Sequence, residues 1–186
     1  MTTYILIAVP VVLLLIYLGL YNGLVARRNG VENAFASLDA TLQKRYDLIP
    51  NLVETVKGYA THERETLEQL AQLRGEALHS SQGASGDLRA HEKVGVALRG
   101  VLALAESYPQ LKASANFLHL QKSLNEVEEQ ISASRRAFNA AVTEYNNAVQ
   151  SFPSSVVADS MGLQARSWFE AGDNAQNPVS VGGAFP

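Results

Sequence analysis

The residues best suited to chemistry are His62 and Glu63, which begin the H-E-x-x-H pattern of zinc proteases. That pattern places a second histidine four residues after the first, so that both imidazoles on one helix face reach the same metal ion. Thr66 occupies that position, and the motif fails. The other histidines share no ligand spacing, and we expect exposed helical positions for all of them: His79, His91 and His119.

Several carboxylates stand in segments that we predict to be helical, and di-iron bundles bind metal with acids that point inward from such helices. Glu128 and Glu129 flank Val127, an apolar position, rather than occupying it. A solvated helix face, with pairs four residues apart such as Arg28 and Glu32, therefore explains the carboxylates better. The notable ones are Asp39, Asp47, Glu54, Glu63, Glu126, Glu128 and Glu129.

The composition removes further kinds of site. The sequence contains no cysteine, which excludes disulfides, thiolate chemistry and cysteine-ligated zinc. It has no glycine loop that would cradle a phosphate and no G-x-S-x-G sequence. The formal net charge is −3 and no segment is strongly basic, so nucleic acid is not expected as a partner. The sequence thus predicts no catalytic residue, no cofactor and no metal, and a protein that is not an enzyme.

The elements that would position these residues begin with an apolar segment at residues 4–20, which carries no charge and suits the hydrocarbon thickness of a bilayer. A cleaved signal peptide is the alternative, but no Lys or Arg precedes the segment and no clear cleavage site follows it. Arg27 and Arg28 come soon after it, and positively charged flanks stay in the cytoplasm. We predict a transmembrane anchor over residues 1–26, with the N-terminus outside.

Apolar residues recur at helical spacing after the anchor. They extend the anchor helix to about Leu48, where Pro50 disfavours helical geometry at Ile49 and should separate a first from a second helix. The last helix has the clearest pattern, because its apolar residues alternate steps of three and four, as in a bundle or coiled coil. This apolar seam comprises Phe117, Leu120, Leu124, Val127, Ile131, Ser134, Phe138, Ala141, Tyr145 and Ala148.

No strand-like alternation is present, and the predicted fold class is all-α. The N-terminal transmembrane helix should continue into an antiparallel bundle of about four long helices over residues 27–152. A partly apolar C-terminal tail follows at residues 153–186, which we expect to pack as far as Phe169 and to be loose beyond it. Trp168 suits the headgroup level of a bilayer, and the alternative is that it covers the open end of the bundle.

The most distinctive stretch, residues 45–63, is predicted to form the turn between the first two helices. In that position Asp47 would cap free N–H groups and Pro50 would fit the first turn of the second helix. Glu54 would face the positive end of that helix dipole. Each of these roles is structural.

Within this stretch the sequence DLIPNLVETVKGYATHE resembles the signature of the LemA family of bacterial membrane proteins. The resemblance continues along the chain, for example at Tyr108-Pro109, Arg135-Arg136 and Phe152-Pro153-Ser154. It implies a membrane anchor, an α-helical cytoplasmic bundle and no established enzymatic activity, and it assigns no catalytic or cofactor residue. The signature residues with structural roles are Asp47, Pro50, Asn51, Glu54, Lys57, Tyr59, His62 and Glu63.

These observations favour a non-enzymatic scaffold or adaptor anchored in the bacterial inner membrane. The alternatives are an enzyme or metal-binding bundle whose site is assembled from scattered polar residues, and a self-assembling protein that shapes membranes. The expected partners are the lipid bilayer, further copies of the chain and other membrane proteins. Self-association is suggested by Gly19-x-x-x-Gly23, a spacing that lets two membrane helices approach closely.

Overall fold

A computed structural model of the chain describes residues 2–60, 62–80 and 88–169, and the regular structure within these residues is all helical. The predicted all-α class is confirmed. The loose end predicted for the tail, residues 170–186, lies outside the described residues. One 3₁₀ turn occurs at Ala105–Ser107, and the helices in chain order are α1 (Thr2–Lys57), α2 (Arg64–Ser80), α3 (Leu88–Leu104), α4 (Pro109–Lys112), α5 (Ala115–Gln150) and α6 (Ser154–Ser160).

The helix α1 is 56 residues long and includes the apolar segment. Among the described helices it is the one with the length and composition to cross a membrane. Its candidate span starts at Leu6, its most apolar window has a mean hydropathy of 2.1, and none of that window is buried in protein. Apolar side chains that no protein covers suit a lipid environment, in agreement with the predicted anchor.

The predicted helix break at Pro50 is wrong, because α1 continues through this residue to Lys57. A proline inside a helix leaves the carbonyl four residues earlier without its N–H donor, and here that carbonyl belongs to Tyr46. Arg74 of α2 donates its Nε–H to the Tyr46 carbonyl oxygen at 2.8 Å. Since a side chain from another helix replaces the missing donor, the helix tolerates the proline.

The described residues between α1 and α2, where the chain turns instead, are 58–60 and 62–63. Gly58 is a poor helix former and follows the last helical residue. The N–H groups of Tyr59 and Ala60 both bond the carbonyl of Val56, at 3.0 and 2.9 Å, and close the end of α1. Because Arg74 in α2 reaches back to Tyr46 in α1, the two helices run antiparallel. The pairing predicted across a turn at Pro50, of Leu38 or Leu42 with Val56 or Tyr59, is therefore wrong, because Leu38, Leu42 and Val56 belong to the same helix.

The chain divides into two compact units, and the second comprises the described residues of Leu42–Glu128 together with Phe169. Its core receives apolar side chains from the four long helices, α1, α2, α3 and α5, and Leu111 from the short helix α4. The side chains that are at most 2% exposed include Tyr46, Ile49, Leu52, Val56, Leu67, Leu70, Ala77, Val94, Leu98, Val101, Leu111, Phe117 and Leu124.

The first unit comprises the described residues of Met1–Thr41 and Glu129–Trp168. Phe35 of α1 meets Phe138 of α5 edge-on, with ring centroids 5.9 Å apart. In this unit the apolar seam follows the prediction at Ile131, Phe138 and Tyr145, whereas Ser134, Ala141 and Ala148 are only half-buried. The remaining core residues are Leu24, Val31, Leu38, Val142, Val149, Val157 and Ala158.

The short helix α6 belongs to the tail and has no counterpart in the prediction. It ends in a pair of reverse hydrogen bonds, from Leu163 N–H to the Ala158 carbonyl at 3.0 Å and from Gly162 N–H to the Asp159 carbonyl at 3.1 Å. This arrangement needs a residue in the left-handed region just after the helix, which glycine adopts without strain. Gly162 has φ of 66°. The turn directs the following segment back to α5, where the Arg166 backbone bonds Asn146.

Candidate functional site

The signature residues of α1 form an exposed stripe along one side of the helix. The stripe consists of Asp47, Pro50, Asn51, Glu54 and Lys57, which follow one another at steps of three, one, three and three residues, and all five are exposed. The capping role predicted for Asp47, the first-turn role of Pro50 and the dipole role of Glu54 are therefore wrong, because all three stand in the interior of α1. The stripe is a solvated surface.

Asp47 accepts a hydrogen bond at 2.8 Å from the side-chain amide of Gln43, four residues earlier in α1. This is an ordinary pair on one helix face. The Asp47 carboxylate thus has a partner within its own helix and does not cap a helix end.

The other three signature residues belong to the turn after α1. Tyr59 and His62 are exposed, and Glu63 is half-buried. The Tyr108 hydroxyl donates a hydrogen bond to the Glu63 carboxylate at 3.1 Å. This hydrogen bond raises the pKa of Tyr108, with smaller contributions from partial burial and from the charge of Glu63. The contact ties the turn after α1 to the segment that precedes α4.

A polar cluster lies inside the second unit and consists of Arg45, Tyr46, His91 and Glu128. The guanidinium of Arg45 is its centre, and the side chain is only 4% exposed. One Nη donates to the His91 carbonyl at 2.7 Å and the other to the Glu128 carboxylate at 3.1 Å. The guanidinium also lies 5.4 Å from the centre of the Tyr46 ring. Three helices, α1, α3 and α5, thereby meet at one arginine.

Gly95 of α3 makes room for this arginine. A Cβ atom at position 95 would lie 3.3 Å from one Nη of Arg45, closer than ordinary van der Waals contact. The Nε of Arg45 is buried without a hydrogen-bond partner in the described part of the chain. The guanidinium is therefore held by the hydrogen bonds that its two Nη groups donate.

Tyr46 and His91 form the second half of the polar cluster. The Tyr46 hydroxyl and His91 Nδ1 are hydrogen-bonded, and the two rings stack with centroids 5.8 Å apart. The exposed position predicted for His91 is wrong, since this residue is 3% exposed. His91, Val94, Leu98 and Val101 follow one another at steps of three and four, so the histidine stands on the buried face of α3.

The polar cluster suits structure better than catalysis. Its cation is paired with a carboxylate that is 38% exposed, and its tyrosine and histidine bond each other. A buried charge that lost such partners would be strongly destabilising, so the cluster fixes which side chains of the three helices meet. No group of three or more His, Cys, Asp or Glu residues in the described ranges has the arrangement to hold a metal ion.

The E-x-x-H pattern of di-iron bundles occurs once, at Glu76 and His79 in α2. Both side chains are exposed, whereas the acids and imidazoles of a di-iron centre project into the bundle. This pair therefore belongs to the solvated face of α2. Glu126 of α5 likewise pairs with Lys122 at 3.9 Å on an exposed face.

A second polar arrangement holds the tail against the first unit. Arg166 forms an ion pair with Glu32 of α1 at 2.7 Å, in place of the Arg28 pair expected for Glu32. The Asn146 side chain exchanges two hydrogen bonds with the Arg166 backbone, each 2.8 Å long. The Trp168 indole donates to Thr143 at 3.0 Å. The tail therefore packs on the bundle through these residues, and the headgroup level suggested for Trp168 stays a prediction.

Comparison with known proteins decides the family. The family model of the LemA family matches residues 34–182. The chain belongs to the LemA family. This match includes the exposed stripe of α1, the polar cluster and the tail that packs on the first unit.

Curated relatives of this LemA-family chain carry two kinds of name. Protein LemA of Metamycoplasma hominis is 26% identical over 159 residues, which cover 85% of this chain and 72% of that protein. Magnetosome protein MamQ of Magnetospirillum gryphiswaldense is 23% identical, over 86% of this chain and 68% of that protein. Magnetosome protein MamQ 2 of Paramagnetospirillum magneticum has the same identity and coverage. Neither kind of name denotes an enzyme. The chain is a LemA-like, membrane-associated protein.

Sequence reasoning missed the most elaborate feature of this LemA-family chain, the polar cluster. Arg45 is not among the residues predicted to be buried, and its partner Glu128 is predicted on a solvated face. The signal for His91 was available in its spacing from Val94 and Leu98. The same kind of signal was available for Arg45, which lies seven residues after Leu38 and seven before Leu52 and so stands on the buried face of α1.

Proposed function

We propose that this chain is a non-enzymatic scaffold or adaptor that is anchored by α1 in the bacterial inner membrane, with its bundle in the cytoplasm. The observation that carries the proposal is the continuity of α1. One helix contains the candidate span and supplies core residues such as Leu38 and Leu52 to both compact units. A bundle built on its own membrane helix is held at the membrane, where its surface is available to partners.

The surface available for partners supports this role. The stripe from Asp47 to Lys57 is polar and exposed, and the Asn51 and Glu54 side chains project from it into solvent. Side chains of this kind suit the polar rim of a protein contact. The relatives' names, LemA and magnetosome protein, support a membrane role and not a catalytic one.

Site-specific photo-crosslinking in native membranes tests the scaffold role. A benzophenone side chain replaces Asn51 or Glu54 on the stripe, and Glu144, an exposed residue of α5, is the matched control. A discrete adduct with another protein from the stripe and not from Glu144 is the expected result. Adducts with lipid alone, or none, at both stripe positions would contradict the scaffold role. An adduct with a second copy of the chain would favour self-assembly.

The proposed orientation has its own test. Because the chain has no cysteine, Thr2→Cys and Ala137→Cys each introduce a unique thiol. A membrane-impermeant maleimide applied to spheroplasts should label the first variant directly and the second only after permeabilisation. The reverse pattern would place the bundle outside the cell and remove the adaptor role in the cytoplasm.

Self-association is the second candidate, and the surface around Gly19 favours it. A Cβ at Gly19 would meet no atom within 4 Å, and one at Gly23 would meet only the Arg27 side chain at 3.4 Å. Both glycines are thus open to a second membrane helix. We expect the chain in nanodiscs to give a mass above that of one copy, and Gly19→Leu with Gly23→Leu to reduce it. A single-copy mass at every concentration would refute self-association.

A further inference from the structure

The protein covering of α1 begins at a definite level of the helix. Every large apolar side chain described between Leu6 and Leu18 is at least 42% exposed, whereas Leu24 is 1% exposed. Leu24 belongs to the first unit, so residues of that unit cover it. Arg27 and Arg28 follow within about one turn. The packed part of the first unit therefore begins close to the level at which the apolar segment ends.

The direction of α5 determines which residues form this end of the first unit. Phe138 of α5 meets Phe35 of α1. Further along α5, the Tyr145 ring lies 5.6 Å from the guanidinium of Arg166, which pairs with Glu32, a residue earlier in α1. Later residues of α5 thus lie beside earlier residues of α1. Within the first unit the two helices run antiparallel.

The aromatic pair sets the register within the first unit. Leu24 lies about 16 Å from Phe35 towards the N-terminus of α1. Val149 lies at the same distance from Phe138 towards the C-terminus of α5. Both end residues are buried. The end of α5 at Gln150 is therefore level with the end of the apolar segment.

The chain turns at this level, between α5 and α6. This α5–α6 corner, residues 151–156, exposes two large apolar side chains: Phe152 is 84% exposed and Val156 is 62% exposed. The opposite side of α6 is buried through Val157 and Ala158. Residues 151–161 carry one charge, that of Asp159. The corner thus presents aromatic and aliphatic surface with few charges to desolvate.

We propose that the α5–α6 corner docks on the bilayer that α1 spans and inserts Phe152 and Val156 at the boundary of headgroups and acyl chains. The inference rests on the proposed membrane anchoring of α1. Interfacial helices bury their apolar face about 5–10 Å deep at this boundary, a depth that two neighbouring side chains can reach. Arg27 and Arg28 are exposed close to the same level and suit the anionic lipids of a cytoplasmic leaflet. Docking at the corner gives the first unit a second contact with the membrane.

Tryptophan quenching in the full chain tests this docking. Trp168 is the sole tryptophan and is first replaced by Phe. In that background Phe152→Trp is compared with Ala137→Trp, an exposed position of the same unit about 20 Å before the end of α5. Vesicles contain phosphatidylglycerol and lipids brominated near the headgroup. We expect fractional quenching at least about twofold larger for Phe152→Trp, because an interfacial residue lies within about 5–10 Å of that boundary.

A third variant separates the failure of docking from the failure of anchoring. Leu14→Trp, within the apolar segment, should be quenched by lipids brominated deeper in the acyl chain. If it is quenched while Phe152→Trp responds only to aqueous iodide, the docking proposal is overturned and the anchor stands. If Leu14→Trp also responds only to iodide, the membrane anchor itself is overturned, and docking with it.

A spin label provides an independent measurement that does not depend on the new tryptophan. Val156→Cys carries a nitroxide at the only thiol, and its collision rates with oxygen and with a water-soluble nickel complex are compared. Preference for oxygen supports insertion of the corner. Preference for the nickel complex, as expected for Ala137→Cys, would overturn it.

Discussion

Arg74→Met should destabilise the protein because Pro50 stands in the interior of α1. Proline leaves the Tyr46 carbonyl without its helical donor, and the Arg74 Nε–H replaces that donor at 2.8 Å. Methionine keeps the apolar stem of arginine but cannot donate a hydrogen bond. The loss of Arg74 should therefore remove the donor that replaces the N–H missing at Pro50, at a partly buried carbonyl.

The size of this effect follows from the contact. A hydrogen bond from a charged donor contributes about 1.5–3 kcal/mol, and partial access of water to this carbonyl favours the lower end. We expect Arg74→Met to lower the free energy of unfolding by about 1–2 kcal/mol. For a chain of this length, that loss corresponds to a fall of about 2–8 °C in melting temperature.

The background Pro50→Ala makes the test specific. Alanine restores a backbone N–H at position 50 as donor to the Tyr46 carbonyl. In this background Arg74→Met should therefore lower the free energy of unfolding by about 1 kcal/mol less than it does beside the native proline. Pro50→Ala alone should stabilise the protein by about 1–2 kcal/mol, because interior proline is costly in a helix and the entropy it removes from the unfolded chain offsets only part of that cost.

Thermal unfolding of the full chain in detergent, followed by circular dichroism, measures all four combinations of the two positions. Arg64→Met is the matched control, since Arg64 lies in the same helix and bonds Glu68 on an exposed surface. This control should leave the melting temperature close to its original value. If Arg74→Met costs as much in the Pro50→Ala background as it does beside the native proline, the Tyr46 carbonyl does not depend on Arg74 and the explanation for the unbroken helix is refuted.

Three further perturbations test the core, the polar cluster and the turn after α1. Phe138→Ala should lower the free energy of unfolding by about 3–5 kcal/mol, and an unchanged melting temperature would show that the seam does not face the core. Glu128→Leu should lower the free energy of unfolding by about 1–3 kcal/mol, because Arg45 loses its carboxylate partner. Adding Arg45→Met should recover part of that free energy, and no recovery would argue against the pairing of Arg45 with Glu128. An absorbance titration at alkaline pH should give Tyr108 a pKa above the ordinary tyrosine value, and Glu63→Gln should lower that pKa. Because the folded pKa is raised, the stabilisation is complete below about pH 10 and is lost as the pH rises through the folded pKa.

Features that depend on local periodicity could be predicted from the sequence. The anchor follows from an uncharged apolar segment, and the core positions of α5 follow from steps of three and four residues. The pattern is less accurate at Ala141 and Ala148, which are half-buried beside the buried Val142 and Val149. A helix with 3.6 residues per turn gradually shifts its buried side relative to a strict seven-residue repeat.

Features that depend on distant residues could not be predicted in the same way. The rule that proline ends a helix is local, whereas the donor that compensates for Pro50 comes from Arg74 in another helix. Likewise Glu128 has a polar sequence neighbourhood, and its pairing with Arg45 spans 83 positions. The roles predicted for Asp47, Pro50 and Glu54 fail for the same reason, since all three require a turn at the proline.

The polar cluster and the apolar core have different physical roles in the second unit. An apolar seam tolerates a shift of one helical turn, because one aliphatic side chain replaces another at similar cost. Such a shift of α1 would bring Ile49 to the place of Arg45, and the guanidinium would lose both the His91 carbonyl and the Glu128 carboxylate. Leaving a buried charge without partners costs several kcal/mol, more than a shifted aliphatic contact. The apolar residues therefore supply most of the stability, and Arg45 selects the single alignment of α1 against α3 and α5 in which its partners are in reach.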